Sequence, residues 1–99
     1  MRIQEISEEG YIRLDPEGKI DTSSAQEFQN AILGAFQKTD NVVVNLEGVD
    51  YLSSIALRTI LTGQKTAKGR GGSFAVINVS SPVMDIFRVV GFDKIIEIR

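Results

Sequence analysis

Cysteine and histidine are both absent from the 99-residue chain. The first absence excludes disulfides and thiolate chemistry, and the second excludes imidazole acid–base catalysis. Together they remove most zinc sites and every Cys/His nucleophile pair, so no metal or cofactor site is expected. A chain without cysteine is at home in a reducing compartment. No apolar stretch approaches the roughly 20 residues that span a bilayer, and no basic segment followed by an apolar run opens the chain. Direct membrane insertion is therefore not expected, and the expected location is cytoplasmic. Linkers, repeats and low-complexity segments are missing too. The length suits one domain over residues 1–99, burying roughly two-thirds of its unfolded surface.

Charge is present but unevenly spread. The net charge is −2, yet residues 1–50 hold ten Asp/Glu against four Lys/Arg, while residues 51–99 hold three against seven. A basic half can mark a nucleic-acid or anionic-membrane face. Here Lys65, Lys68 and Arg70 fall at the end of an expected helix, where cations complement the macrodipole. Arg58, Arg88, Lys94 and Arg99 are scattered singly, without an RNA-binding aromatic signature. Nucleic-acid binding is not expected.

The most informative stretch runs from Val42 to Leu57. Val42, Val43 and Val44 form a short β-branched run that suits a central strand covered on both faces. Gly48 breaks the run, and Asp50 and Tyr51 are expected to carry the chain over the sheet end. Ser53 and Ser54 stand where a helix needs side-chain oxygens for its free N–H groups. From there Leu57, Ile60 and Leu61 recur on one face, continued by Gln64. A loop between a strand end and a helix start is where α/β proteins tend to place function, which makes Ser53-Ser54 the first candidate.

Around this stretch, Ile3–Ile6 and Tyr11–Leu14 read as an antiparallel hairpin across Glu8-Glu9-Gly10. Pro16 implies an edge position or an interruption. Ser23 with Gln26, or Ser24 with Glu27, offers a capping box for a helix that buries Ala25, Phe28, Ile32, Ala35 and Phe36. That helix fades at Lys38-Thr39-Asp40. Gly69, Gly71 and Gly72 follow a helix and precede a strand, the reverse of the order in phosphate-cradling loops, and so read as a flexible turn. Phe74–Val79 reads as a buried strand. Ser81-Pro82 opens a third helix with proline at its first position and Val83, Ile86, Phe87 and Val90 inward, and Gly91 stops it. Phe92 and Ile95-Ile96 lead into a last strand. The expected order is β-β-α-β-α-β-α-β, an α/β fold with a mixed, largely parallel sheet, an N-terminal hairpin and helices packed on it.

This order and its junctions resemble the STAS domain, the fold of bacterial anti-sigma factor antagonists. The resemblance spans about Ile3 to Ile98. It rests on Gly18-Lys19-Ile20-Asp21, on Val44-Asn45-Leu46-Glu47-Gly48-Val49 with Tyr51-Leu52, on Ser81-Pro82, and on Gly91-Phe92 with the isoleucines after it. In that family the second helix opens with Asp-Ser-Ser-Gly-Leu. The first serine of the pair is phosphorylated by the partner, an anti-sigma factor with a serine-kinase fold. The matching residues here are Ser53-Ser54-Ile55-Ala56-Leu57, so the resemblance implies Ser54 as the phosphorylation candidate. It implies Asp21 as the acidic residue that lies near that serine across the surface. Ser53 replaces the family aspartate, which is expected to help engage the kinase, and Ile55 and Ala56 replace the second serine and the glycine. These departures bear on phosphorylation rather than on fold.

The implied partner surface comprises Asp21, Asp50, Ser53, Ser54, Ile55, Ala56 and Arg58. Ile55 is expected to point outward, about 160° around the helix from Leu57, as a contact for a partner. The expected function is a protein-interaction switch, monomeric when free, that binds an anti-sigma factor and releases a sigma factor. Two other roles known among STAS domains stand beside it. One is an unphosphorylated subunit of a lipid-transport ABC system or a stress-signalling assembly. The other is a small-molecule or nucleotide-binding module. Enzymatic activity is not expected, because Asp15, Asp21, Glu47 and Asp50 have no nucleophile, metal set or cofactor loop beside them.

Overall fold

The computed structural model describes all residues from Met1 to Arg99. Strands β1 (Arg2–Glu8) and β2 (Tyr11–Ile20) form the antiparallel hairpin, with Ile3 opposite Pro16 and Glu8 opposite Tyr11. Helix α1 (Ala25–Phe36) leads to β3 (Asn41–Asn45), β4 (Val49–Leu52) and helix α2 (Ser54–Arg70). After α2 come β5 (Ser73–Ile77), helix α3 (Ser81–Val90), a 3₁₀ turn at Phe92–Lys94 and the short β6 (Glu97–Ile98). The sheet runs β1-β2-β3-β5-β6, and β4 pairs with β2. Every pairing except the hairpin is parallel. The mixed, largely parallel sheet is as expected, with one further strand before α2.

That further strand is the main addition to the sequence reading. Asp50 and Tyr51 do not pass over the sheet end; they lie in β4, beside the end of β2. Val49 and Leu52 are buried and the two residues between them are exposed, a pattern that is neither alternating nor continuous. Four such residues give no recognisable strand period.

Strand β2 likewise outlasts its expected end at Leu14 and runs through Pro16 to Ile20. One of its edges pairs with β1 from Tyr11 to Glu17. The other pairs with β3 at Ile12–Leu14 and with β4 at Gly18–Ile20. The Gly18 amide donates to the Gly48 carbonyl at 2.8 Å. Backbone groups two residues apart along a strand face the same neighbour, so the N–H missing from Pro16 falls where the partner changes from β3 to β4. The expected interruption is thus a gap in one ladder, within a continuous strand. Gly18 follows at φ +96°, where the register with β4 shifts. Asp50 of β4 is the extra residue of that shift, and Gly18 opposite it takes the left-handed region that glycine enters at little cost.

One core cluster joins buried residues from all three helices with Ile12, Leu14, Val42, Val44, Phe74 and Val76 of the sheet. Val43 and Ala75 are buried outside that cluster, as side-chain alternation along a strand requires. The valine run is therefore helix-covered on one face. On the other, Val43 sits in register between Arg13 and Ala75 of its neighbours. The buried face of α1 is Ala25, Phe28, Ile32, Ala35 and Phe36, as its spacing predicts.

The inner face of α2 differs from expectation. Ala56, Thr59, Ile60, Gly63 and Ala67 are buried, whereas Leu57 and Leu61 pack only partly against the core. Small residues let this helix sit close to the sheet: a Cβ on Gly63 would lie 2.6 Å from the Phe74 ring. Thr59 is tolerated inside because its hydroxyl donates to the Ile55 carbonyl at 3.0 Å. A reading that follows the largest apolar residues places the face too near the leucines.

Smaller differences concern the later elements. Gly69 is inside α2, Gly71 ends it in the left-handed region, and Gly72 sits against Asp40, so the expected flexible turn is closely packed. Strand β5 stops at Ile77, because Asn78 turns the chain at φ 56°. Ser80 is the N-cap of α3, which puts Ser81 first and Pro82 second in the helix. The proline is harmless there as well, since the first four N–H groups of a helix have no intrahelical partner. Val83 and Phe87 are buried, Ile86 is half-buried, and Val90 is exposed rather than inward.

Candidate functional site

The C-terminal ends of β2 and β4 lie side by side, with Ile20 in register with Leu52. The next residues on each strand are Asp21 and Ser53. The Ser53 amide donates to the Ile20 carbonyl at 2.9 Å, tying the start of α2 to the end of β2. Ser53 has an extended backbone, and its hydroxyl accepts a bond from the Ala56 amide at 3.2 Å. It is a conventional N-cap and is almost fully buried. Ser54 is then the first helical residue, exposed and with its hydroxyl unengaged. The capping task expected of either serine belongs to Ser53 alone.

This division of labour gives a direct expectation. Ser53→Ala should lower unfolding stability by about 1 kcal/mol, the usual loss for an N-cap. Ser54→Ala should change it by less than about 0.5 kcal/mol, as for an exposed residue without partners. Urea denaturation of the two variants measures the contrast.

Asp21 organises the neighbouring turn. Its carboxylate accepts bonds from the Ser23 hydroxyl at 2.7 Å, the Ser23 amide at 3.0 Å and the Ser24 amide at 3.1 Å. Ser24 Oγ accepts from the Asp21 amide and donates to the Lys19 carbonyl, both at 3.0 Å. Neither expected capping box forms; Asp21 supplies the oxygen from outside the helix. The Ser23 hydroxyl, followed by the Ser24 amide, holds the Asp21 carboxyl below its ordinary value of 3.8. A lowered folded-state value stabilises the fold above the ordinary value, and the benefit fades as pH falls through the lower one. The stability advantage of the wild type over Asp21→Asn should therefore be full at pH 6 and shrink below about pH 4. Denaturant midpoints at pH 6 and pH 3 provide the comparison.

The other expected surface residues divide by accessibility. Asp50, Ile55 and Arg58 are exposed around Ser54, with Ile55 at 38% facing outward as expected. Ala56 is wholly buried, so it presents nothing to a partner; it occupies the floor of the site, as Ser53 does. Tyr51 is 48% exposed and joins this surface, although the sequence reading gave it only a connecting role. Its position follows from β4, so the missed strand hid the residue. Glu47 is also exposed at the approach to β4.

Fold and site together define a small α/β module that presents a serine at the start of a helix, on a mixed polar and apolar surface. The STAS domain profile matches residues 3–99, and the chain belongs to the STAS domain family. It is similar to the anti-sigma-B factor antagonist of Bacillus subtilis, with 27% identity over 90 residues, covering 91% of this chain and 83% of that protein. An anti-sigma factor antagonist from Mycobacterium paratuberculosis has the same fold, with a TM-score of 0.89 at 19% identity over 98% of this chain and 83% of that one. The Bacillus cell fate determinant SpoIIAA in its phosphorylated form aligns with a TM-score of 0.77 at 14% identity, over 99% of this chain and 91% of that one. No helix is long and apolar enough to cross a membrane.

Proposed function

We propose that this protein is an anti-sigma factor antagonist. It binds an anti-sigma factor of serine-kinase fold through the surface around Ser54, frees a sigma factor, and is released when Ser54 is phosphorylated. The observation that carries the reading is the pair of serine roles: Ser53 caps the helix and leaves the Ser54 hydroxyl exposed and chemically idle. In the transfer the Ser54 oxygen would bond to the γ-phosphorus of a nucleoside triphosphate held by the partner. The bond to the bridging oxygen would break, the diphosphate would leave, and the hydroxyl proton would pass to a base of the partner. The role of this chain is regulatory binding in the cytoplasm, as a monomer when free.

The departures from the family motif fit this reading in physical terms. Ser53 accepts the same amide bond that an aspartate N-cap would, so the cap survives the replacement. Ala56 adds one methyl group to a fully buried position that glycine would leave bare. Ile55 places an apolar side chain beside the serine, and with Tyr51 it forms the apolar part of the contact surface. A phosphoserine carries about −1.5 to −2 charges at neutral pH, which opposes any partner surface shaped for a neutral hydroxyl.

Affinity capture from a lysate of native cells, with wild type and Ser54→Asp in parallel, tests the proposal. Wild type should retain an anti-sigma factor, and the aspartate variant should lose it by tenfold or more. The same departures at Ser53, Ile55 and Ala56 would also suit a second reading as a constitutive subunit. Retention of the same transport or scaffold component by both proteins would establish that reading instead.

A further inference from the structure

We propose that Arg58 receives the phosphate of phosphorylated Ser54, so that the modification is held as an ion pair along the outer face of α2. The inference rests on Ser54 as a modification site and concerns what the group does once attached. Ser54 is the first residue of α2, and Arg58 is four residues further along. Residues at that spacing share a helix face. Helical side chains also lean toward the N-terminus, so Arg58 covers the turn that Ser54 begins. Both residues are exposed.

A separate observation singles out this arginine. The chain has six arginines. Arg2, Arg13, Arg70, Arg88 and Arg99 each pair with a carboxylate, namely Glu17, Asp15, Asp40, Asp85 and Glu97. Arg58 alone has no acidic partner. The first turn of α2 holds no acidic residue either, so nothing on the helix competes for its guanidinium. The charges at the neighbouring strand ends are acidic at Asp21, Asp50 and Glu47, with Lys19 of β2 beside Tyr51 the one cation among them. The carboxylates disfavour a phosphate left free in this region, and Arg58 is the cation that shares its helix face. A guanidinium can bind phosphate oxygens through two parallel N–H bonds, which a lysine cannot match.

The pairing gives the switch a second component. In the unmodified protein Arg58 is free to meet an acidic group on the partner. In the phosphorylated protein it is occupied from within, so the surface gains a dianion and loses an available cation together.

The test installs phosphoserine at position 54 by genetic encoding in the full chain, with Arg58, Arg58→Gln or Arg58→Lys. The phosphate is then titrated by ³¹P NMR. A free phosphoserine has its second ionisation near pH 6. With Arg58 the midpoint should lie lower than with Gln by on the order of 0.5 unit, and Lys should fall between. The unmodified Arg and Gln proteins should melt at the same temperature, which separates pairing from any general structural role. Equal midpoints for Arg and Gln would overturn the proposal. Because no kinase is needed, a failure of the pairing is distinct from a kinase that leaves Ser54 untouched, which would instead remove the reading beneath it.

Discussion

Gly72→Ala is expected to destabilise the protein by at least about 3 kcal/mol, more than ordinary overpacking of a core. A Cβ at this position would lie 1.8 Å from the Asp40 carbonyl oxygen and 2.7 Å from its carbon. Those atoms are backbone, so no rotamer change relieves the contact. The backbone is also held on both sides. The Gly72 amide donates to the Ala67 carbonyl, and the Ser73 amide donates to that same Asp40 oxygen, each at 2.9 Å. Retreat from the clash would pull β5 away from β3 at the Asn41–Ser73 end of their register. For a domain of this size the melting temperature should fall by more than about 12 °C. Gly69→Ala is the control: its Cβ meets nothing within 4 Å, and it lies inside α2. That change should stabilise the helix by up to about 1 kcal/mol. Calorimetry of the two variants should give shifts of opposite sign.

Phe87→Ala is expected to cost about 3–5 kcal/mol, the usual range for a buried phenylalanine. Its effect should concentrate on one element. Helix α3 buries only Val83 and Phe87, and the Phe87 ring stacks obliquely on Phe92 with centroids 5.8 Å apart. Truncation therefore removes the larger of the helix's two anchors and loosens the turn that follows it. Natural domains are stable by roughly 5–15 kcal/mol in total, so the variant should retain a fold with little margin. Circular dichroism should show a melting point lower by about 12 °C or more. Val89→Ala on the same helix is 86% exposed in the wild type and should leave the melting point nearly unchanged.

The sequence made most of this architecture legible, and the reasons are specific. The α1 face was readable because five apolar residues fall at helical spacing and all are buried. Periodicity and turn signals then ordered the elements, and the resemblance to STAS domains pointed to Ser54. The unreadable parts each had a physical cause. Strand β4 is four residues long with polar residues at its centre, and its existence depends on β2 continuing past a proline. The inner face of α2 is built from Ala, Thr and Gly, whose burial is decided by how closely a helix approaches the sheet. Which of the two serines caps α2 turns on a single residue of helix boundary, the kind of detail that composition does not carry. Tyr51 and the isolation of Arg58 are tertiary facts, visible only once partners are assigned to every neighbouring charge.

Strand β2 pairs with three other strands, β1 along one edge and β3 and β4 along the other. From Ile12 to Leu14 it has a strand on either side, so this part of β2 is expected to belong to the slowest-exchanging unit of the protein. The carbonyl that fixes Ser53 is that of Ile20, the last residue of this strand. Ser54 thus stands one residue from a backbone bond that ties the helix start to the sheet. A phosphate placed on Ser54 would therefore act as a change of surface charge on a fixed mount, readable without a rearrangement of the fold.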